Sequence, residues 1–201
     1  MDRVVEKRRA CLKGEKPCDR GGHRSITSLW YEILPVTLKS DQVVWLRRRE
    51  DGEAHPWRIA HQAGLHPNDA VLAHVERLFG ERFEPEASII HSTSWRYCHR
   101  TERLLLTYVV VVPQRTWGCC QVERARIVAE PVAMGVPVRG DHLHPPERIE
   151  MNNVLAHALD HLAWLKCFDS RIMAVLESGW GEVLETRRPT PAGYVSHACD
   201  E

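Results

Sequence analysis

The segment from Gly64 to Gly80, GLHPNDAVLAHVERLFG, constrains the fold most strongly, because several local signals in it agree on one helix. Pro67 lies where a first helical turn accepts proline, and Asp69 places a negative charge at the positive end of the helix dipole. Gly80 supplies the left-handed residue at which helices commonly end. The apolar residues recur at helical spacing and predict one buried stripe, which comprises Val71, Leu72, Val75, Leu78 and Phe79.

Runs rich in β-branched and aromatic residues lie on both sides of this predicted helix. The predicted strands are 26–38, 42–49, 57–59, 87–97, 104–112 and 122–129. Pro35 indicates an edge strand or a bulge in the first run, whereas the nearly continuous apolar run 104–112 indicates a central strand. The segment 147–168 predicts the longest helix, and 170–176 a short one.

Strands that do not alternate regularly with helices are typical of the α+β class. We therefore expect a mixed β-sheet flanked by two main helices, 67–79 and 147–168, on opposite faces. The length of 201 residues suits one domain over 26–185, preceded by a mobile N-terminal arm at 1–25 and followed by a polar C-terminal tail at 186–201.

Charge and cysteine usage limit the expected partners and location. The 27 basic and 27 acidic residues cancel, so no global field attracts nucleic acid, which makes nucleic acid an unlikely partner in this interpretation. Apolar runs stay well short of the roughly 18 residues that span a bilayer, so we expect no membrane association. Seven cysteines without disulfide-framework spacing favour a reduced, cytoplasmic setting.

The frame of the Gly64–Gly80 segment resembles the Nudix box, the loop–helix–loop of the Nudix hydrolases. The residues that keep the frame are Gly64, Pro67, Asp69, Ala70, Val75 and Gly80. Where the family has Arg-Glu, this chain has Ala73 and His74, and Arg77 and Leu78 replace two further glutamates. The family uses these carboxylates to hold Mg²⁺ against a diphosphate. The resemblance thus implies a Nudix-like sandwich that needs no cofactor and does not hydrolyse diphosphates.

Four side chains that alternate along one predicted strand form the favoured ligand site: His91, Thr93, Trp95 and Tyr97. Alternation places them on one face, where the rings can stack on a flat ligand while imidazole and hydroxyl groups orient it. The alternative is a sheet face packed against a helix. The resemblance places such sheet residues near the box helix, and the candidate ligand set therefore also includes His74 and Arg77.

A histidine group raises the alternative of a metal site. His157 and His161 stand four apart on the predicted long helix, and His142 and His144 lie in the preceding loop. Two helical imidazoles and a loop histidine can bind Zn²⁺ or Fe²⁺. We favour instead a polar helix flank whose imidazoles bond carbonyl groups or water, and expect that these four histidines do not share a metal.

Three functions remain open at this point. The favoured one is a non-hydrolytic Nudix-like domain that binds a small-molecule ligand or a protein partner. The second is a histidine-based, metal-dependent hydrolase. The third is a structural or interaction protein that forms a homodimer through the long C-terminal helix, on the side that carries Trp164.

Overall fold

The computed structural model describes residues 28–50, 53–84, 88–98, 101–119, 127–132, 150–176 and 178–194. The strands are β1 (Ser28–Lys39), β2 (Gln42–Glu50), β3 (Glu53–His55), β4 (Trp57–Ala60), β5 (Ile89–Cys98), β6 (Arg103–Val111), β7 (Ile127–Pro131) and β8 (Gly193–Tyr194). The helices are α1 (Pro67–Phe79), α2 (Gln114–Cys119), α3 (Met151–Phe168), α4 (Ser170–Val175) and α5 (Trp180–Glu185). Each run predicted as a strand overlaps an observed one, whereas β3, β8, α2 and α5 were not predicted.

The strands form one mixed sheet with the order β3-β2-β1-β6-β5-β8, in which β4 also pairs with β1 and β7 with β2. The β1–β6 and β5–β8 pairs are parallel, and the remaining pairs are antiparallel. Strand β6 lies between β1 and β5, and Val109 and Val110 within it are fully buried. The prediction that 104–112 is a central strand is therefore confirmed.

Pro35 lies in an interior strand, so the prediction that it marks an edge strand is wrong. The β4 ladder on β1 ends at Ile33 and the β2 ladder begins at Val36, which leaves Pro35 between the two. The carbonyl of Val36 accepts from the nitrogen of Val112 on the β6 side. The nitrogen of Pro35, one residue earlier in an extended strand, faces the opposite edge. The missing N–H thus coincides with the gap between two partner strands.

Helices α1 and α3 cover opposite faces of this sheet. Consecutive residues of β1 point to opposite sides, and Ile33 belongs to the core under α1 while Leu34 belongs to the core under α3. Helix α1 buries Val71 and Val75 on the first face, which we call the α1 face. Helix α3 buries its apolar side on the second, the α3 face. The predicted α+β fold, a mixed sheet flanked by two main helices, is confirmed.

Helix α1 begins and ends as its sequence predicts. His66 is the N-cap, and its side chain accepts a hydrogen bond from the backbone nitrogen of Asn68. Pro67 occupies the first turn, and Gly80 follows the helix with φ of 68°, the left-handed conformation that glycine adopts without strain. Local chemistry therefore sets both ends.

Helix α5 and the segment that follows it pack against α3 and the sheet. Trp180 and Leu184 of α5 join the core on the α3 face. The backbone nitrogen of Thr190 donates to the carbonyl of Asp160 in α3 at 3.1 Å, and β8 pairs with β5. Residues 186–194 of the predicted tail thus contact α3 and the sheet, whereas 195–201 and the predicted arm 1–25 lie outside the described residues.

Candidate functional site

A β-bulge interrupts β5 in the middle of the predicted ligand site. Ser92 pairs with Tyr108, and Ser94 pairs with the next residue of β6, Thr107, which leaves Thr93 as the extra residue. A residue inserted into one strand shifts the alternation of every side chain that follows it. Side chains before and after Thr93 therefore do not keep the common face that simple alternation predicts.

The bulge divides the predicted ligand face between the two sides of the sheet. His91, before the bulge, contacts His161 of α3 and so lies on the α3 face. Trp95, after the bulge, is paired with Leu106, which packs on the α1 side, and Tyr97 follows two residues later on the same side. The prediction that His91, Thr93, Trp95 and Tyr97 share one face is wrong, because period-two alternation holds only for unbroken pairing.

On the α3 face, three histidines bond to backbone carbonyls, and two of them, His91 and His161, also bond to each other. His157 Nε2 donates to the carbonyl of Thr93 at 3.1 Å, and His161 Nδ1 donates to the carbonyl of Thr190 at 3.1 Å. His91 Nδ1 lies 3.0 Å from its neighbour's carbonyl and 3.0 Å from His161 Nε2. Because His161 Nδ1 carries the proton of that ring, His161 Nε2 is a hydrogen-bond acceptor, and Nδ1 of His91 is the donor to it.

The two histidines of α3, His157 and His161, lie inside the core rather than on a polar flank of the helix. His157 and His161 are buried together with Asp160, so the expectation of a polar flank is wrong. The hydrogen bonds from their imidazoles to carbonyl groups, which were also expected, are present. Burial lowers the pKa of His161 to about 4; the neighbouring His91 and His157 act in the same direction, and the hydrogen bond to Thr190 opposes them. The ring of His161 is consequently neutral at neutral pH.

The proposed metal alternative concerns residues that are only partly described. His142 and His144 lie outside the described residues, so the expectation that they do not meet His157 and His161 at a metal stays a prediction. Within the described part of the chain, no group of three or more histidine, cysteine or acidic side chains is arranged to hold a metal ion.

On the α1 face, three neighbouring strands present two rows of side chains. Tyr31, Leu106 and Trp95 form one row across β1, β6 and β5, and a second row lies two residues along each strand. We call these six side chains the sheet shelf: Leu29, Tyr31, Trp95, Tyr97, Leu104 and Leu106. The Trp95 side chain is 46% exposed, so the shelf carries an aromatic surface that α1 does not cover.

Polar groups border the sheet shelf. The Tyr31 hydroxyl and Nδ1 of the exposed His61 share a hydrogen bond of 2.5 Å. Tyr31 also meets Tyr108 edge to face, with ring centroids 5.7 Å apart, and Tyr108 is hydrogen-bonded to the side chain of Ser92. Burial raises the pKa of both tyrosines, so both hydroxyls keep their protons at neutral pH. Apolar surface, rings and fixed hydroxyl groups thus lie together.

The structure brings together the two candidate residues of α1. Arg77 Nη2 donates to His74 Nδ1 at 2.8 Å, and the His74 ring meets Trp57 with centroids 6.1 Å apart. Burial, and then the positive charges of Arg77 and Arg48, lower the pKa of His74 to about 4. The imidazole is therefore neutral at neutral pH and lies beside two guanidinium groups.

The box positions of α1 cannot bind Mg²⁺ through carboxylates. Ala73, His74, Arg77 and Leu78 occupy them, and Leu78 is buried in the core on the α1 face. Glu76 of α1 lies outside these box positions, and its carboxylate accepts from the backbone nitrogen of Phe83 at 2.9 Å. That contact fixes the chain after Gly80 and holds Glu76 to a structural role.

Sequence reasoning missed a buried ion network on the α3 face. The Glu32 side chain is fully buried; Oε1 accepts from Arg58 Nη2 at 2.8 Å, and Oε2 from Arg96. Arg96 Nη1 also donates to Thr107 at 3.1 Å. The available signal was a single acid within the apolar run of β1, since buried carboxylates require paired charges. The network ties four strands together.

Comparison with known proteins shows similarity in structure and none in sequence. No protein-family model matches the chain, and a search of curated proteins gives no match. The structure is similar to Shewanella oneidensis NrtR, with a TM-score of 0.51, 14% identity and coverage of 80% of this chain and 79% of that one. A mutT/nudix family protein from Listeria innocua has a TM-score of 0.42, 10% identity and coverage of 53% and 79%. The Ap4A hydrolase of C. elegans has a TM-score of 0.42, 7% identity and coverage of 52% and 80%.

The comparison corrects the expectation about nucleic acid. NrtR has also been crystallised with a 27mer DNA, and that structure matches with a TM-score of 0.51 over 80% of this chain. The inference that nucleic acid is an unlikely partner is therefore wrong as a general statement, because net charge reports the average field and not the local surface that meets a phosphate.

Among the described helices, none is long and apolar enough to cross a membrane.

Helix α1 with its left-handed end, the mixed sheet and helix α3 on the opposite face agree with the similarity to the NrtR structure. The chain has a Nudix-like fold, in which the carboxylates of the Nudix box are replaced.

Proposed function

We propose that this protein is a non-hydrolytic Nudix-like domain that binds a small molecule carrying a planar ring on the sheet shelf. The observation that carries the proposal is the exposed Trp95 ring beside Leu106 and Tyr97 on a face that α1 leaves partly open. Aromatic and aliphatic surface of this kind accepts a flat ring by stacking.

The polar groups that border the sheet shelf would orient a bound ligand. Tyr31 and His61 are already paired at 2.5 Å, and a ligand acceptor or donor next to them would join a fixed hydrogen-bond network rather than order a flexible one. His91 and Thr93, which lie before and at the bulge, are excluded from this ligand set because His91 contacts α3 and the Thr93 side chain is fully buried.

The absence of hydrolysis follows from the box positions. Mg²⁺ requires oxygen ligands, and the imidazole of His74 and the guanidinium of Arg77 do not supply them. Leu78 packs in the core on the α1 face and offers no oxygen ligand. The domain is therefore expected to bind its ligand and release it unchanged.

The test measures binding of purine and pyrimidine nucleosides. Calorimetry gives the affinity, and the NMR signal of the Trp95 side chain reports whether the nucleoside contacts the sheet shelf. Trp95→Ala should weaken binding of a nucleoside by about tenfold or more, since one base–aromatic stack is worth about 1–3 kcal/mol. Phe168→Ala is the matched control, because Phe168 is an exposed aromatic residue on α3, away from the shelf. Equal losses in both variants, or unaltered Trp95 signals at saturating nucleoside, would refute the shelf as the site.

DNA binding is a second candidate, favoured by the likeness to the DNA-bound NrtR structure over most of both chains. Exposed arginines on the described surface, among them Arg49, Arg82 and Arg188, could contact phosphates. Binding of a DNA duplex at low salt would support this function. The logarithm of the association constant should then fall linearly with the logarithm of the salt concentration. Duplex binding that is undetectable at about 50 mM salt would rule it out.

A further inference from the structure

A small cavity opens on the α3 face, on the opposite side of the sheet from the sheet shelf. Its volume is about 310 Å³, at the small end of the range for ligand pockets. The β1–β2 turn, the residue after β7 and helix α5 form its walls. Val43 and Val132 are buried members of the core on the α3 face, and Val183 packs against that core. These three side chains give the cavity an apolar floor.

Backbone geometry holds the walls of the cavity close together. Ser40 and Asp41 form a two-residue hairpin turn with φ of 50° and 60°, the left-handed values of the tightest hairpin turns. Gly179, with φ of 97°, brings the start of α5 against this turn. A Cβ at Gly179 would lie 3.2 Å from Leu38 Cδ1 and 3.6 Å from Asp41 Oδ1. A ligand therefore enters a formed cavity and does not have to order its walls.

Charged groups of both signs line the rest of the cavity. Asp41 and Glu182 contribute carboxylates, and within the described part of the chain neither takes part in an ion pair. Arg187 contributes a half-buried guanidinium. Burial lowers the pKa of Arg187, and the neighbouring Asp160 acts in the opposite direction. Because burial disfavours the positive charge, a further anionic group beside Arg187 would be stabilising.

This combination selects for a small molecule that carries both charges. An anion without a positive group would meet the carboxylates of Asp41 and Glu182, and a cation without a negative group would meet the guanidinium of Arg187. A zwitterion can place its ammonium group at the carboxylates and its carboxylate at the guanidinium, where charge-assisted hydrogen bonds form. The valine floor adds space for an aliphatic chain.

We propose that this cavity binds a free α-amino acid with an aliphatic side chain. The ammonium group contacts Asp41 and Glu182, the carboxylate contacts Arg187, and the aliphatic chain packs on the valine floor. The site stands on its own residues and requires neither a ring on the sheet shelf nor DNA binding.

The test is titration of the full chain with L-leucine. Calorimetry gives the affinity, and the NMR signals of the Val43 and Val183 methyl groups report whether leucine enters the cavity. Two analogues each lack one charge: 3-methylbutylamine lacks the carboxylate, and 4-methylpentanoate lacks the ammonium group. Each should bind at least about tenfold more weakly than leucine, because each loses a charge-assisted contact.

Two substitutions remove one charge each with little change of shape. Asp41→Asn keeps the turn, because asparagine adopts positive φ readily, and Glu182→Gln lies on the exposed side of α5. Each should weaken leucine binding by about tenfold. Glu185→Gln is the matched control on the same helix, since Glu185 lies outside the cavity and pairs with Lys166 at 3.5 Å. Its affinity for leucine should equal that of the unaltered protein.

Several outcomes would overturn the proposal. One is the absence of leucine binding at millimolar concentrations, and another is an analogue that binds as tightly as leucine. Equal losses of affinity in Glu182→Gln and Glu185→Gln would also refute it. Leucine that shifts the Trp95 signals and leaves those of Val43 and Val183 unchanged would show binding at the shelf and not in this cavity. Thermal melts verify that the variants fold.

Discussion

His161 makes the stability of the protein depend on pH at the scale of one residue. Its pKa is lowered from 6.5 to about 4 in the folded chain, so the folded state binds fewer protons than the unfolded state between these values. The contribution is fully present above pH 6.5 and is lost as the pH falls towards 4. We expect the free energy of unfolding to decrease by roughly 3 kcal/mol over this window from His161.

The measurement is urea unfolding at a series of pH values, with His161→Gln for comparison. The variant is less stable at neutral pH, because it loses the bonds to Thr190 and His91, but its stability should change less between pH 6.5 and 4. His74 shows the same direction of pKa shift, so His74→Gln is measured beside it. A pH dependence identical to that of the unaltered protein in His161→Gln would show that another group is responsible.

Local spacing explains one contact between candidate residues, whereas others depend on features with no local signature. Arg77 and His74 lie three apart on a well-predicted helix, and their contact followed from helical spacing alone. His91 instead meets His161 across the fold, and this contact follows from the position of the bulge and the docking of α3. Glu32 was overlooked for the same reason, because its two arginine partners come from different strands.

At the scale of the element, α1 permits a direct test of its buried side. Val75 is fully buried in the core on the α1 face, whereas Arg77 is exposed. Val75→Asp places a carboxylate without a partner in that core and should reduce the free energy of unfolding by about 3 kcal/mol or more. Arg77→Ala should change it by less than about 0.5 kcal/mol. Similar unfolding midpoints for the two variants in urea would contradict this assignment of faces.

The accuracy of the sequence predictions differed between elements for a physical reason. Helix α1 carries its own cap, first-turn proline and terminal glycine, so its bounds can be read from neighbouring residues. The bulge at Thr93 is a property of two strands, since it exists only in the register of β5 against β6. Short elements such as β8 likewise depend on the surface on which they dock, because two residues carry too little pattern to predict a strand.

At the scale of the whole molecule, the Nudix-like fold is present without the carboxylates of the Nudix box. The Nudix-like sandwich is retained while the box positions hold Ala73, His74, Arg77 and Leu78. We therefore expect no Mg²⁺-dependent cleavage of nucleoside diphosphate compounds, measured as release of phosphate or of a nucleoside monophosphate. A turnover of about 1–10³ s⁻¹ that a chelator abolishes would contradict this prediction and the non-hydrolytic function.

The parallel pairing of β1 with β6 has a consequence for how the protein is made. Synthesis delivers β1, β2 and β4 early, and they can form antiparallel ladders with one another at once. The other edge of β1 gains its partner only when Val111 has been added, after α1 and β5. A nascent chain shorter than this presents an apolar strand edge of the kind that binds chaperones or associates with other chains. Pauses of the ribosome before residue 111 should therefore lower the yield of folded protein.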